Sequence, residues 1–227
     1  MIPQDSYEID LIPTSEGDLM ITFLGHGSLL FTHNNQTFYV DPYSKVADYS
    51  KLPKADVILL THEHRDHLDL QAIEAVRTAD TILVISPLCA NQITGEYVLR
   101  NGDTATVAGA LVKALPAYNI LHRRADGQPF HPKGTGNGYI LTFGDVRVYV
   151  AGDTENIPEM QGLGNIEVAF LPMNLPYTMT PQMVAEAARS FRPRILYPYH
   201  YGSTDTAELT RLLADEQDIE VRIRKMA

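Results

Sequence analysis

Residues 61–67 read Thr61-His62-Glu63-His64-Arg65-Asp66-His67, which puts His62, His64, Asp66 and His67 within one short stretch. Imidazole nitrogens together with a carboxylate suit a borderline divalent ion, zinc first, with manganese or iron as alternatives. His62 and His64 alternate, so an extended backbone points both the same way. Asp66 and His67 are adjacent and point elsewhere. One ion held by all four is therefore awkward. Two neighbouring ions are easier, one on His62 and His64 and another on Asp66 and His67. A single histidine in a polar loop is usually just solvated, but three with an aspartate in this pattern argue for ligation.

The elements around the cluster explain how it is aimed. Val57-Ile58-Leu59-Leu60 is apolar on both faces, as a central strand covered on both sides must be. Leu70, Ile73 and Val76 fall near helical spacing and predict a helix over 68–77. The cluster thus lies on a strand-to-helix turn. Two more buried strands, 146–150 and 195–199, run into Asp153 and His200. Each places a ligand type at a carboxyl end, where open α/β sheets build their sites.

Further strands are expected at 19–23, 29–32, 37–40, 81–85, 104–107, 111–115, 139–143 and 219–223, several paired as hairpins. Thr180-Pro181 caps a helix running to Phe191, and a second helix is expected over 205–216. Residues 1–18 read as an irregular lead-in. With no linker or low-complexity stretch, residues 1–227 form a single domain. Its two halves look roughly alike, each with hairpins followed by strand–helix units, which suits two packed sheets with helices outside.

His-x-His-x-Asp-His after an apolar strand, with Gly152-Asp153-Thr154 and Tyr199-His200-Tyr201 further on, resembles the metallo-β-lactamase superfamily of metal-dependent hydrolases. With the early Gly25-His26-Gly27-Ser28 turn, the likeness is to the branch around the ascorbate-6-phosphate lactonase and N-acyl-phosphatidylethanolamine phospholipase D groups. The motifs span residues 25–202. The resemblance implies an α/β fold, the four-layer αββα metallo-β-lactamase sandwich. It also implies that Asp153 bridges both ions and that His200 joins Asp66 and His67 on the second. Such ions bring the pKa of water toward neutrality and polarise a scissile carbonyl or phosphoryl group, while Asp66 orients the water and carries a proton. No serine elbow or cysteine–histidine pairing competes.

The departure is at Asn119, where the family places a third histidine for the first ion. Three readings stay open: the Asn119 amide oxygen substitutes weakly, His122 or His131 swings in, or the first ion is labile. His26 either reaches the metal or satisfies turn amides. Asp41 either steadies a ligand histidine or caps a strand end.

The long loop 120–137 concentrates Arg123, Arg124 and Lys133 in an otherwise acidic chain of net charge −10. These residues suit an anionic group held away from the scissile bond, and glycines 127, 134, 136 and 138 would let the loop close. The expected activity is metal-dependent hydrolysis of an ester, lactone or phosphodiester in a small anionic substrate. The alternatives are a metal-binding protein with little turnover and a redox diiron protein. The charge argues against duplex nucleic acid or an anionic membrane surface as partner. Cys89 is the only cysteine, so no internal disulfide forms. With no signal peptide or apolar span in the sequence, a cytoplasmic protein is expected. Oligomeric state is not written in the sequence.

Overall fold

Strands buried on both faces organise the chain, whose computed structural model describes residues 7–227. The first sheet is β1 (Glu8–Thr14), β2 (Gly17–Gly25), β3 (Ser28–His33), β4 (Gln36–Val40), β5 (Val57–Leu60), β6 (Ile82–Ile85) and β7 (Tyr97–Val98), side by side in chain order. The second is β8 (Thr104–Val107), β9 (Ala110–Ala117), β10 (Gly136–Phe143), β11 (Val146–Val150), β12 (Val168–Pro172), β13 (Ile195–Tyr199) and β14 (Glu220–Val221), again in chain order. In each sheet the first four strands are antiparallel and the remaining connections parallel. The two halves repeat one plan, as the sequence pattern anticipates.

Alternation along the strands builds three apolar layers. Ile21, Phe23, Phe31, Val57 and Leu59 face Val112, Leu141, Val148, Phe170 and Tyr197 between the sheets. On the outer side of the first sheet, Leu30, Tyr39, Ile58 and Leu60 pack on Ile73 and Val76 of α1 (Leu70–Val76). On the outer side of the second, Tyr149 and Leu196 pack on Val184 and Ala188 of α2 (Pro181–Phe191) and Leu209 of α3 (Thr206–Leu212). The order is helix, sheet, sheet, helix: the expected αββα sandwich. The Asp69 carboxylate caps α1, and the Thr180 hydroxyl caps α2 with Pro181 in the first turn.

Some expectations need correction. Residues 8–14 are not an irregular lead-in: β1 pairs with β2 from Glu8↔Phe23 to Thr14↔Gly17. Pro13 is tolerated there because β1 is an edge strand. Residues 1–6 lie outside the described part. Strands β7 and β12 were not anticipated, and α3 ends four residues earlier than the pattern suggests.

The topology brings the carboxyl ends of β2, β4, β5, β11, β12 and β13 to one rim. The residues just beyond them are His26, Asp41, Thr61, Asp153, Asn174 and His200.

Candidate metal centre

Non-glycine residues avoid positive φ, yet His26 (54°), Asp41 (46°) and His200 (46°) all adopt it at this rim. Each is turned sharply as its strand ends, toward a common point. Gly152 (φ 66°) makes the corresponding turn before Asp153, and a Cβ there would lie 2.7 Å from the Asn137 carbonyl oxygen. Only glycine lets β11 deliver its carboxylate so close to β10.

Two sets of ligand atoms result. His62 Nε2 and His64 Nδ1 stand 3.0 Å apart, so the alternating pair does point one way. His131 completes this group: its ring lies 5.1 Å from that of His62 and 4.9 Å from that of His64. The second set is Asp66, His67 and His200, with His26 beside them. His67 Nε2 is 3.7 Å from Asp66 Oδ2, and His200 Nε2 is 3.5 Å from the same oxygen. Asp153 stands between the sets. Its Oδ2 is 3.3 Å from His131 Nε2 and 3.9 Å from His62 Nε2, while its Oδ1 is 3.5 Å from His67 Nε2 and 3.7 Å from His200 Nε2.

Buried polar atoms almost always find a partner. His67 Nε2, His200 Nε2 and Asp153 Oδ1 are buried and have none, yet they converge. Lone-pair donors and a carboxylate oxygen left open around one point fit a divalent cation.

Charge at the site centres on its carboxylates. Burial works against ionising Asp153, but His200, His67 and His131 hold its pKa well below the usual carboxylate range. Burial likewise opposes ionised Asp66, but the close approach of His200, the His26 hydrogen bond and the neighbouring His67 override it and lower its pKa. Burial and the neighbouring His67 charge push His62 well down, and burial with His131 lowers His64. His67 moves the other way: burial would lower it, but Asp153, Asp41 and Asp66 raise it to about 10.

The supporting contacts decide several open readings. Asp41 is fully buried; it accepts from the Thr61 backbone N–H at 2.8 Å, the Thr61 hydroxyl at 2.6 Å and His67 Nδ1 at 2.8 Å. It holds a histidine and closes no strand end by itself. His26 Nε2 lies 3.0 Å from Asp66 Oδ2, and its ring lies against that of His200, centres 3.7 Å apart and planes tilted by 38°. Asn119 does not face the ligand cluster with its oxygen free: Oδ1 accepts from the His131 backbone N–H and lies 2.8 Å from His131 Nδ1. His122 turns away, its Nδ1 2.8 Å from Glu155.

A cavity of about 430 Å³ opens over the cluster, lined by His26, Arg65, Asp66, Arg124, Phe130 and Tyr177 among others. Of the three basic loop residues expected there, only Arg124 lines it. Arg123 is spent on the Gly127 and Ile120 carbonyls, and Lys133 on Glu159 and Tyr118, because both side chains fold back on their own surroundings. Gly136 and Gly138 belong to β10 and are no hinge. Arg65, Phe130, Asn174 and Tyr177 escaped the sequence reading. Arg65 sits inside the motif itself, and Phe130 precedes His131. Asn174 and Tyr177 follow the unanticipated β12.

The beta-lactamase superfamily domain model matches residues 20–200. The chain is 31% identical over 219 residues to a UPF0173 metal-dependent hydrolase of Thermococcus kodakarensis, covering 88% of this chain and 95% of that one. It is similar to a solved protein of Parabacteroides distasonis described as a metal-dependent hydrolase, with 49% identity, a TM-score of 0.93 and coverage of 97% and 100%. It is also similar to Igni18, a metallo hydrolase of Ignicoccus hospitalis, with 25% identity, a TM-score of 0.74 and coverage of 92% and 96%. Among the described residues, no helix is long and apolar enough to cross a membrane.

Proposed function

The chain belongs to the beta-lactamase superfamily and is a metal-dependent hydrolase, and on that premise we propose that it cleaves an ester, lactone or phosphodiester of a small anionic molecule with two zinc ions. His62, His64 and His131 would hold the first ion and Asp66, His67 and His200 the second, with Asp153 shared. The observation that carries this reading is the convergence of the unpartnered His67 Nε2, His200 Nε2 and Asp153 Oδ1 in a buried setting. The ions, when bound, supply Lewis acidity toward water and toward the scissile carbonyl or phosphoryl oxygen.

The chain's own groups do the rest. Asp66 is partly exposed at the cavity floor, so its carboxylate orients the attacking water and takes up its proton. His26, hydrogen-bonded to Asp66 Oδ2, fixes that carboxylate's direction. Arg65 and Arg124 receive the anionic part of the substrate. Phe130 and Tyr177, whose rings meet edge-on at 5.0 Å, form an apolar wall that excludes water from one side.

Metal analysis of protein purified without added metal, followed by turnover on carboxylic esters, lactones and phosphodiesters, tests the reading. Zinc with turnover on one of these classes supports it. Metal with no turnover on any of them points to a binding protein of the same fold. Iron with oxygen consumption points to redox chemistry.

A further inference from the structure

Glu155 is wholly buried and lies two residues beyond Asp153. A buried carboxylate is costly unless its oxygens are satisfied, and this one is saturated by a single segment. Its Oε2 accepts from the backbone N–H groups of Ile120 and Leu121 at 2.8 and 2.7 Å. Its Oε1 accepts from the His122 N–H at 2.7 Å and from the Asn119 side-chain amide at 3.0 Å.

Asn119 passes this constraint on. Its Nδ2 is held by Glu155 and by the Tyr177 carbonyl at 2.8 Å, which fixes which end of the amide is oxygen. The oxygen then faces His131, accepting its backbone N–H and lying 2.8 Å from Nδ1. An amide oxygen can only accept, so His131 must carry a proton on Nδ1, which leaves Nε2, 3.3 Å from Asp153 Oδ2, as the nitrogen available to an ion. The loop between these residues is closed on itself: Asn119 N–H donates to the His131 carbonyl at 2.9 Å and Arg124 N–H to the Gln128 carbonyl at 2.7 Å. Arg124, Phe130 and His131 all ride on it.

We propose that Glu155 is the positioning residue of the first metal position: through Asn119 it selects the Nδ1–H tautomer of His131 and holds the loop that carries it. The proposal rests on the ligand set proposed above. It also accounts for asparagine at position 119: an acceptor that is itself held from behind directs an imidazole arriving from further along the chain.

The test is Glu155→Gln. A glutamine amide must turn an NH2 group toward one of the two donor pairs, whichever way it faces. Two measurements are made on each protein: nitrogen-15 NMR of the His131 ring without metal, and zinc titration by calorimetry. In the wild type, His131 shows the Nδ1–H tautomer. In Glu155→Gln it becomes a mixture, and one zinc step weakens about 10–100-fold, the usual effect of losing a group that orients a ligand, while the other stays within about twofold. Asn119→Ala, which leaves Glu155 its three backbone donors, gives the same two changes and serves if Glu155→Gln does not fold. Glu159→Gln, at the neighbouring exposed ion pair with Lys133, changes neither. An unaltered His131 tautomer with both zinc steps as in the wild type, in either test variant, overturns the proposal. A wild type that binds no zinc overturns the ligand set instead, and the tautomer still reports on Glu155.

Discussion

Asp41 Oδ2 accepts from His67 Nδ1 at 2.8 Å, and both side chains are shut off from solvent. The contact joins the end of β4 to the loop after β5, and it leaves His67 Nε2 as the atom that faces Asp153. Asp41 accepts three donors and offers none. Asp41→Asn keeps the shape and suits the positive φ, which asparagine tolerates. Its NH2 group, however, meets either the Thr61 N–H or the other two donors. The expected result is a folded protein whose second metal position binds about 10–100-fold more weakly, measured by chelator competition. Metal affinity equal to the wild type would show that His67 needs no such support.

Asp66 is the only carboxylate of the cluster with substantial exposure, its side chain 36% accessible against 5% for Asp153 and 1% for Asp41. A group that meets both the ligand set and the substrate cavity is the one placed to handle the proton. Asp66→Asn should leave the fold intact and abolish hydrolysis of whichever substrate class the wild type turns over. Residual activity within about tenfold of wild type would remove it from that role, since general-base contributions exceed this.

Much of this was legible in the sequence, and the limits have physical causes. His62, His64, Asp66 and His67 could be read because their spacing alone determines directions on a strand and turn. Asp153 and His200 each end an apolar run, but it is the family resemblance, and not the run, that marks them as ligands. His131 could only be left among alternatives, since its approach depends on loop closure and on a bond to Asn119, contacts that no local period encodes. Arg123 and Lys133 stay clear of the cavity for a related reason. Composition counts charges, but nearby carbonyls and Glu159 decide where they point. Strand β1 was missed because Pro13 and the acidic residues around it look like loop, and only the edge position permits them.

Asp10 joins the first strand to the last segment of the chain. Arg224 grips both its oxygens at 2.7 Å, Arg222 lies 3.3 Å away, and the Tyr197 hydroxyl donates to it. Burial raises its pKa, but the Arg224 and Tyr197 hydrogen bonds and the arginine charges outweigh that and lower it below 3.8. A depressed folded-state pKa means stability that is present above the unfolded value and lost as pH falls through the folded one. Asp10→Asn should therefore cost about 1–3 kcal/mol at neutral pH, measured by urea unfolding. The gap to wild type should narrow below about pH 4, where the unfolded carboxyl takes up its proton. A gap independent of pH would mean that the cluster acts through shape and not charge.

Arg65 and Arg124 both line the cavity over the metal cluster, from opposite sources: one inside the metal motif, the other on the loop that ends in His131. Arg124 is braced, donating to the Phe130 carbonyl at 3.1 Å with its guanidinium 5.2 Å from the Phe130 ring centre. Arg123, its neighbour in sequence, spends its guanidinium on loop carbonyls. Three single variants to alanine therefore separate cavity charge from loop charge. On a charged substrate, Arg65→Ala and Arg124→Ala should each lower kcat/KM by about 10-fold or more, the scale of one charge-assisted hydrogen bond. On the neutral analogue of the same scissile bond the losses should be within about threefold, because no charge-assisted bond is then at stake. Arg123→Ala should behave alike on both. Equal losses on charged and neutral substrates at Arg65 and Arg124 would show that the cavity does not read charge, and the proposed anionic substrate would fall with it.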